Sequence, residues 1–393
     1  MRHFDHLNPT ETERLFSVHP EEFDRDADAE VLAVALGATL YMPATRTTLA
    51  RDLVKQGGSG VVSSVVCLED AIADVDLPAA EKNVVNQLGE LGRAVIGGGP
   101  AAQFPLTFVR VRNPDQIVDV VDGLGVHARV LSGFVLPKFT EETGVEFLEA
   151  LADVRSRTGL ALHAMPVIES PEAVHVETRT DMLLGVQRLL AKHRDVVLAV
   201  RLGATDLSAA FGIRRDRDLT IYDVRVVAEV ISDVVNVLGR ADGSGYVVTG
   251  PVWEYFVNHD RMSKPLLRES PFDENDERKL RHRLIRRDLD GLIREAVLDK
   301  ANGLTGKTVI HPTHVAAVHA LSVVTHEEYA DACDILGEQM TSGGVRASAY
   351  RNKMNEARPH RSWAERTVRR AAAFGVAAPE VGFVDLLAAS ACT

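Results

Sequence analysis

Residues 160–206 read LALHAMPVIESPEAVHVETRTDMLLGVQRLLAKHRDVVLAVRLGATD. An apolar run, Leu160–Ile168, ends on Glu169. A helical pattern follows from Pro171 to about Lys192. A second apolar run, Val196–Leu202, is followed across Gly203-Ala204-Thr205 by Asp206. Near-continuous apolar runs mark strands buried on both faces, and a helix between two of them implies parallel pairing.

The same unit recurs on either side. Upstream, Leu40–Met42 precedes a helix near Thr47–Gln56, and Val61–Leu68 precedes one at Ala79–Leu91. Thr107–Val111 precedes a short helix from Pro114, and Gly133–Leu136 precedes one at Glu141–Arg157. Downstream, a helix around Tyr222–Leu238 follows the sixth run. Tyr246–Val248 is paired with a helix near Leu289–Ala301, and Lys307–Ile310 with Thr313–Leu321. Eight such units predict an α/β fold, a TIM (β/α)8 barrel closed on itself, over an open sheet. The expected division is an N-terminal lead-in over 1–37, the barrel over 38–321 and a C-terminal helical extension over 322–393. A charge-dense insertion at 258–287 carries Pro265 and Pro271, with Arg278–Arg287 predicted helical. The extension contains the Gly/Ser/Arg stretch Ser342–Ser348 and a basic amphipathic helix around Trp363–Arg370.

The chain has 393 residues, 46% hydrophobic and 25% charged, which is ordinary globular composition with length for a large core. A formal net charge of −12 excludes a fold-wide basic field for nucleic acid or an anionic membrane surface. Three cysteines, Cys67, Cys333 and Cys392, have no CxxC spacing and suggest no disulfide framework, so a reducing cytoplasm is expected. Met1–Pro20 lacks the apolar run of a signal peptide, and Val31–Pro43 is too short to span a bilayer.

The chemistry is expected at the strand ends. Glu69 and Asp70 end the second run, Arg110 lies at the end of the third, and Lys138 ends the fourth. Glu169 ends the fifth, Asp206 follows the sixth, and His311 ends the eighth. In a barrel all of these ends share the face that carries the active site. Carboxylates from separate strands, without Cys or clustered His, suit a hard cation such as Mg²⁺, with Glu169 and Asp206 as the pair. Arg110 offers a planar fork for a substrate carboxylate. Each residue also has a plainer reading. The carboxylates could cap helices, Arg110 and Lys138 could form structural ion pairs, and His311 could make a structural hydrogen bond before Pro312. Cys67 reads as a small core residue, and Gly97-Gly98-Gly99-Pro100 as a turn, because it follows a helix and not a strand.

Several of these stretches resemble the citrate lyase β-subunit and malyl-CoA lyase branch of the HpcH/HpaI-type aldolases. They are Leu40-Tyr41-Met42-Pro43-Ala44-Thr45-Arg46, Cys67-Leu68-Glu69-Asp70-Ala71, Val109-Arg110-Val111-Arg112-Asn113, Val135-Leu136-Pro137-Lys138, Pro166-Val167-Ile168-Glu169-Ser170, Leu202-Gly203-Ala204-Thr205-Asp206-Leu207 and Gly303–Pro312. Seven short motifs in one order make the resemblance specific. It implies Mg²⁺ on Glu169 and Asp206, a substrate carboxylate on Arg110, and Arg46, Glu69, Asp70 and Lys138 around the pocket. It also implies a homo-oligomer, trimer or hexamer. The insertion and the reduction of the acidic cluster after the seventh strand to Val252-Trp253-Glu254-Tyr255 depart from the family pattern. The C-terminal extension resembles that of lyase-like proteins encoded near tellurium-resistance genes. These departures leave the use of a CoA thioester open.

The expected function is therefore a Mg²⁺-dependent carbon–carbon lyase or aldolase acting on a hydroxy acid or acyl-CoA-like substrate, through an enolate of a 2-oxo acid or thioester. Glu69, Asp70 or a metal-bound water would move the proton. Two alternatives stand beside it. One is a condensing enzyme with a phosphorylated or nucleotide-like acceptor held by an anion nest near Ser342–Ser348 and Tyr350-Arg351-Asn352-Lys353. The other is a non-catalytic scaffold subunit.

Overall fold

The computed structural model of the chain describes residues 1–96, 104–256, 289–337 and 344–391. Gly97-Gly98-Gly99-Pro100, the insertion with its expected helix at Arg278–Arg287, and Ser342-Gly343 lie outside the described residues.

Seven parallel strands form one sheet. They are β1 (Ala38–Pro43), β2 (Ser63–Cys67), β3 (Leu106–Arg110), β4 (Leu131–Leu136), β5 (His163–Ile168), β6 (Arg201–Leu202) and β7 (Lys307–Val309). Their spatial order is β6-β5-β4-β3-β2-β1-β7. Every residue of β2, β4 and β5 is buried, as unbroken apolar runs require when helices cover the outside. The ring closes through the segment expected as a full strand at Tyr246–Val248. There the pairing is reduced to single parallel bridges, Val200 with Val248 and Gly250 with Lys307. The backbone is still stitched on both sides: Thr249 N–H donates to the Val200 carbonyl at 2.9 Å, and Thr308 N–H to that of Gly250 at 3.0 Å. Pro251 follows and carries no N–H, which limits further pairing. The barrel expectation holds, and the chain makes its eighth stave from isolated bridges.

Helices run between the strands close to their expected places. Thr140 caps Glu141–Thr158 in a reciprocal box with Thr143, and Gly159 ends it in the left-handed region. The helix read as continuous from Pro171 to Lys192 is two, Pro171–Val174 and Val176–Lys192, because His175 is extended. The Arg179 guanidinium takes up the carbonyls freed at that break, those of Ala173 and Val174, at 2.9 and 2.8 Å. The helix expected from Tyr222 begins at Arg225, after a 3-10 turn, Ile221–Asp223, capped by Thr220. Gly133 shows why one strand residue has no side chain. A Cβ there would stand 1.9 Å from the His163 carbonyl oxygen on β5.

The two ends of the chain meet beneath the barrel. Phe16–Val18 pairs antiparallel with Val376–Ala377. His319 Nε2 accepts from the Ala38 N–H at 3.1 Å, at the start of β1. Arg25 donates to the carbonyls of Val130, Phe104 and Pro105, just before β3 and β4. These contacts all lie at strand starts, so the terminal layer covers the N-terminal face and leaves the strand ends to the site. Among the described residues no helix is long and apolar enough to cross a membrane.

One buried ionic cluster ties the last strand to its helix. Lys307 on β7 is fully buried and reaches Glu295 at 2.9 Å and Asp299 at 2.6 Å, both on helix Asp290–Ala301. Arg215 holds the other oxygen of Glu295, and the Tyr222 hydroxyl donates to Asp299 at 2.9 Å. Burial opposes the Lys307 charge, but Asp299 and Glu295 more than offset it and raise its pKa.

Candidate active site

Strand register brings the expected residues to one height. Pro43 pairs with Cys67, and Cys67 with Arg110, so β1, β2 and β3 end together. Arg110 then projects a single guanidinium nitrogen, Nη2, into three carboxylates. It lies 2.6 Å from Glu69, 3.1 Å from Asp70 and 2.8 Å from Glu169. Lys138 stands above this group. Its ammonium lies 2.5 Å from Glu69 and 3.6 Å from Asp70, and its backbone N–H donates to Glu169 Oε1 at 3.0 Å. Lys138 has φ 45°, a left-handed conformation that a non-glycine residue adopts at a cost, and here it serves to aim both groups.

Glu169 is the most enclosed member, with its residue only 3% exposed. Arg110 and the Lys138 N–H occupy Oε1. Oε2 is buried and has no hydrogen-bond partner. Asp206, in the first turn of helix Ala204–Ala209, adds its charge nearby. The Glu169 carboxyl is pushed up to about 7: burial raises it, Arg110 opposes, and Asp206 raises it further. Burial also raises Glu69, helped by Asp70 and opposed by Arg110 and Lys138. Asp70 moves down, because Glu69, Arg110 and Lys138 together outweigh its burial.

Gly203 makes this packing possible. A Cβ at that position would stand 2.0 Å from Glu169 Oε2 and 2.5 Å from its Cβ. Gly203→Ala is therefore expected to fold but to displace the Glu169 carboxylate and, if Glu169 holds the Mg²⁺ expected from the sequence, to weaken its binding roughly 10- to 100-fold, the usual cost of disturbing the support of a ligand. Titration calorimetry reads this, and unchanged Mg²⁺ affinity would contradict it.

Not every expected residue joins the cluster. Arg46 turns outward and pairs with Asp52 at 2.9 Å, half exposed. The His311 ring stacks on Phe256 with centroids 5.1 Å apart, and its Nδ1 lies 2.8 Å from the Thr313 hydroxyl. Glu254 accepts from the Thr205 hydroxyl at 2.9 Å, which sets it beside the Asp206 turn. Two residues of the barrel interior carried no site expectation. Tyr41 on β1 faces Arg201 and Arg110 electrostatically, and Arg201 on β6 is buried. Tyr41 lies within the Leu40–Arg46 stretch and Arg201 just before Leu202–Leu207, but neither ends a strand run with a charged side chain. Lys353, assigned to an anion nest, lies 2.7 Å from both Glu327 and Asp331. A cavity of about 440 Å³ lies elsewhere, between Phe23, Val31 and the Arg369–Ala373 turn of the terminal layer, and holds none of these groups.

The chemistry of the donor set can be tested against a cation. Glu69, Asp70, Glu169 and Asp206 set four carboxylates against the two cations Arg110 and Lys138. Among the described residues no three His, Cys, Asp or Glu side chains converge as a metal cluster. Mg²⁺ commonly takes only one or two carboxylates and keeps several waters. An unpartnered buried oxygen on Glu169, with a second carboxylate close by, fits that requirement.

Comparison with known proteins agrees with the architecture. No curated protein matches the chain. Among solved structures, a citrate lyase from Burkholderia xenovorans is 18% identical over 90% of this chain and 96% of its own, with a TM-score of 0.61. The protein CitE from Mycobacterium tuberculosis, in complex with magnesium, acetoacetate and coenzyme A, is 19% identical over 88% of this chain and 99% of its own, with a TM-score of 0.52. Malate synthase from Haloferax volcanii is 14% identical over 75% and 74%, with a TM-score of 0.51. At these identities the likeness is one of fold. The family described as a C–C bond lyase of the TIM-barrel fold matches residues 30–376, the whole barrel and part of the layer beneath it. The chain belongs to that family and is a carbon–carbon bond lyase.

Proposed function

We propose that the chain is a Mg²⁺-dependent lyase or aldolase that cleaves a hydroxy acid, free or as a CoA thioester, so that one fragment leaves as a carbonyl compound and the other takes the electron pair as the enolate of a 2-oxo acid or thioester, which is then protonated. The observation that carries this reading is the buried, unpartnered Glu169 Oε2 beside Asp206, in a site with two more carboxylates than cations. Glu169 and Asp206 would hold the cation, which when bound would draw charge from the oxo oxygen and favour the enolate.

The chain's own residues supply the rest. Arg110 binds Glu169, Glu69 and Asp70 through Nη2, and its buried Nε has no hydrogen-bond partner. That leaves donor capacity on the guanidinium for an acid's carboxylate. Lys138 keeps its charge at the rim, where burial opposes it and Glu69 and Asp70 raise its pKa. Glu69, the raised member of the Glu69–Asp70 pair, is the better placed to hold a proton at its carboxyl oxygen. The magnesium, acetoacetate and coenzyme A bound to the Mycobacterium tuberculosis neighbour are the reason to include thioesters among the substrates tried. A cytoplasmic homo-oligomer, trimer or hexamer, belongs to the same reading, and sedimentation velocity measures its size.

Calorimetry with oxaloacetate, pyruvate and glyoxylate tests the proposal. Binding is expected with Mg²⁺, to be lost on chelation, and to be lost again in Glu169→Ala. Binding that ignores the metal, or survives Glu169→Ala undiminished, would overturn it.

A further inference from the structure

Of the buried arginines, Arg201 has the least usual company. It is 1% exposed. Arg110, Arg179 and Arg215 each meet a carboxylate. Arg201 instead donates to the Thr308 hydroxyl at 2.6 Å and the Thr39 hydroxyl at 3.3 Å, and lies 3.7 Å from the Met165 sulfur. Its Nε has no partner. A guanidinium in a barrel interior with only neutral partners is an uncompensated charge, and such charges are retained at a cost.

That charge faces Tyr41. The Arg201 guanidinium carbon lies 5.4 Å from the centre of the Tyr41 ring. Thr39 and Tyr41 are two residues apart on β1, so they share the interior face, with Tyr41 nearer the strand end. Thr308 pairs with Thr39 in register, so the two hydroxyls that hold Arg201 are neighbours. Along β1, Tyr41 stands between Thr39, which holds Arg201, and Pro43, which is level with Cys67 and Arg110, and the phenol feels Arg201, Arg110, Cys67 and Glu169 electrostatically. Tyr41 is half-buried, so its side chain is open on one side while the other lies against the barrel interior. Burial, outweighing Arg201 and Arg110, raises the phenol's pKa, so it remains a donor at neutral pH.

We propose that Tyr41 is a substrate-contacting residue of the lyase site, its hydroxyl donating a hydrogen bond to the oxygen of the bound acid on which negative charge gathers. Arg201 is its positioning residue, a fixed positive charge behind the ring that favours that same charge. The hydroxyl keeps its proton, so no bond is made or broken in the contact. The inference rests on the 2-oxo acid reading of the site.

The test uses two acids on the full chain with Mg²⁺. Pyruvate resembles the ground state, and oxalate, a planar dianion, resembles its enolate. Wild type is expected to bind oxalate more tightly than pyruvate. Tyr41→Phe is expected to keep its melting temperature and its Mg²⁺ affinity, and to lose roughly 10- to 100-fold of that oxalate preference, the scale of one hydrogen bond to a charged group. Arg201→Met should lower the preference as well, and Arg201→Lys should restore part of it, which a purely structural role would not do. An unchanged oxalate-to-pyruvate ratio in Tyr41→Phe would overturn the role of Tyr41. A wild type that binds neither acid would instead overturn the 2-oxo acid reading, and the inference with it.

Discussion

Arg110→Ala is expected to weaken Mg²⁺-dependent binding of a 2-oxo acid by roughly 100-fold, the scale for removing one partner of a buried charge pair. It is also expected to change how stability depends on pH. The guanidinium neutralises three carboxylates at once, and Glu169 among them is buried. In the native site Glu169 already sits at about 7, above its ordinary 4.5. The folded state therefore holds that proton more tightly than the unfolded one. Its contribution to stability is full below about 4.5 and is lost as pH rises through about 7. Without Arg110 the largest opposing influence is gone and only the Lys138 N–H remains to lower it, so Glu169 moves higher, and the loss extends to higher pH and grows. Urea unfolding in cation-free buffer between about pH 5 and 8 reads the difference. Parallel curves for variant and wild type would show that Arg110 does not carry the charge of Glu169. Arg110→Lys should fall between the two, since an ammonium cannot reproduce the fork.

Lys307→Met is expected to destabilise the chain by about 3–5 kcal/mol without touching the strand-end cluster. Glu295 keeps Arg215, and Asp299 keeps the Tyr222 hydroxyl, but two buried carboxylates lose the ammonium between them. The cost is one of folding, because the cluster joins β7 to helix Asp290–Ala301 on the far side of the strand from the barrel interior. A double variant, Lys307→Met with Asp299→Leu, should recover part of the loss, because it removes the unpaired charge and the pair together. Urea midpoints measure all three proteins. A single-variant loss below about 1 kcal/mol, or a double variant that is simply additive, would show that the cluster is not coupled in this way.

Much of the molecule was legible from residue order. The apolar runs, their length and the capping residues between them are local properties, and they predicted the strands, the helices and the barrel. Two local readings failed for local reasons. His175 breaks a helix whose apolar spacing continues across it, and the eighth stave survives as single bridges ahead of Pro251. The strand-end rule also gathered Glu69, Asp70, Arg110, Lys138 and Glu169 onto one face, because parallel strands in register must end together.

The sequence by itself thus determined the period of the fold and which charged residues stand at the strand ends, since both follow from neighbours along the chain. Only the tertiary structure decided what each side chain meets. It set one nitrogen of Arg110 against three carboxylates, turned Arg46 out to Asp52, and enclosed Arg201 with two threonines beneath Tyr41. Those partners come from strands and helices far apart in the chain. Their distances depend on barrel closure and side-chain packing, which no local pattern encodes.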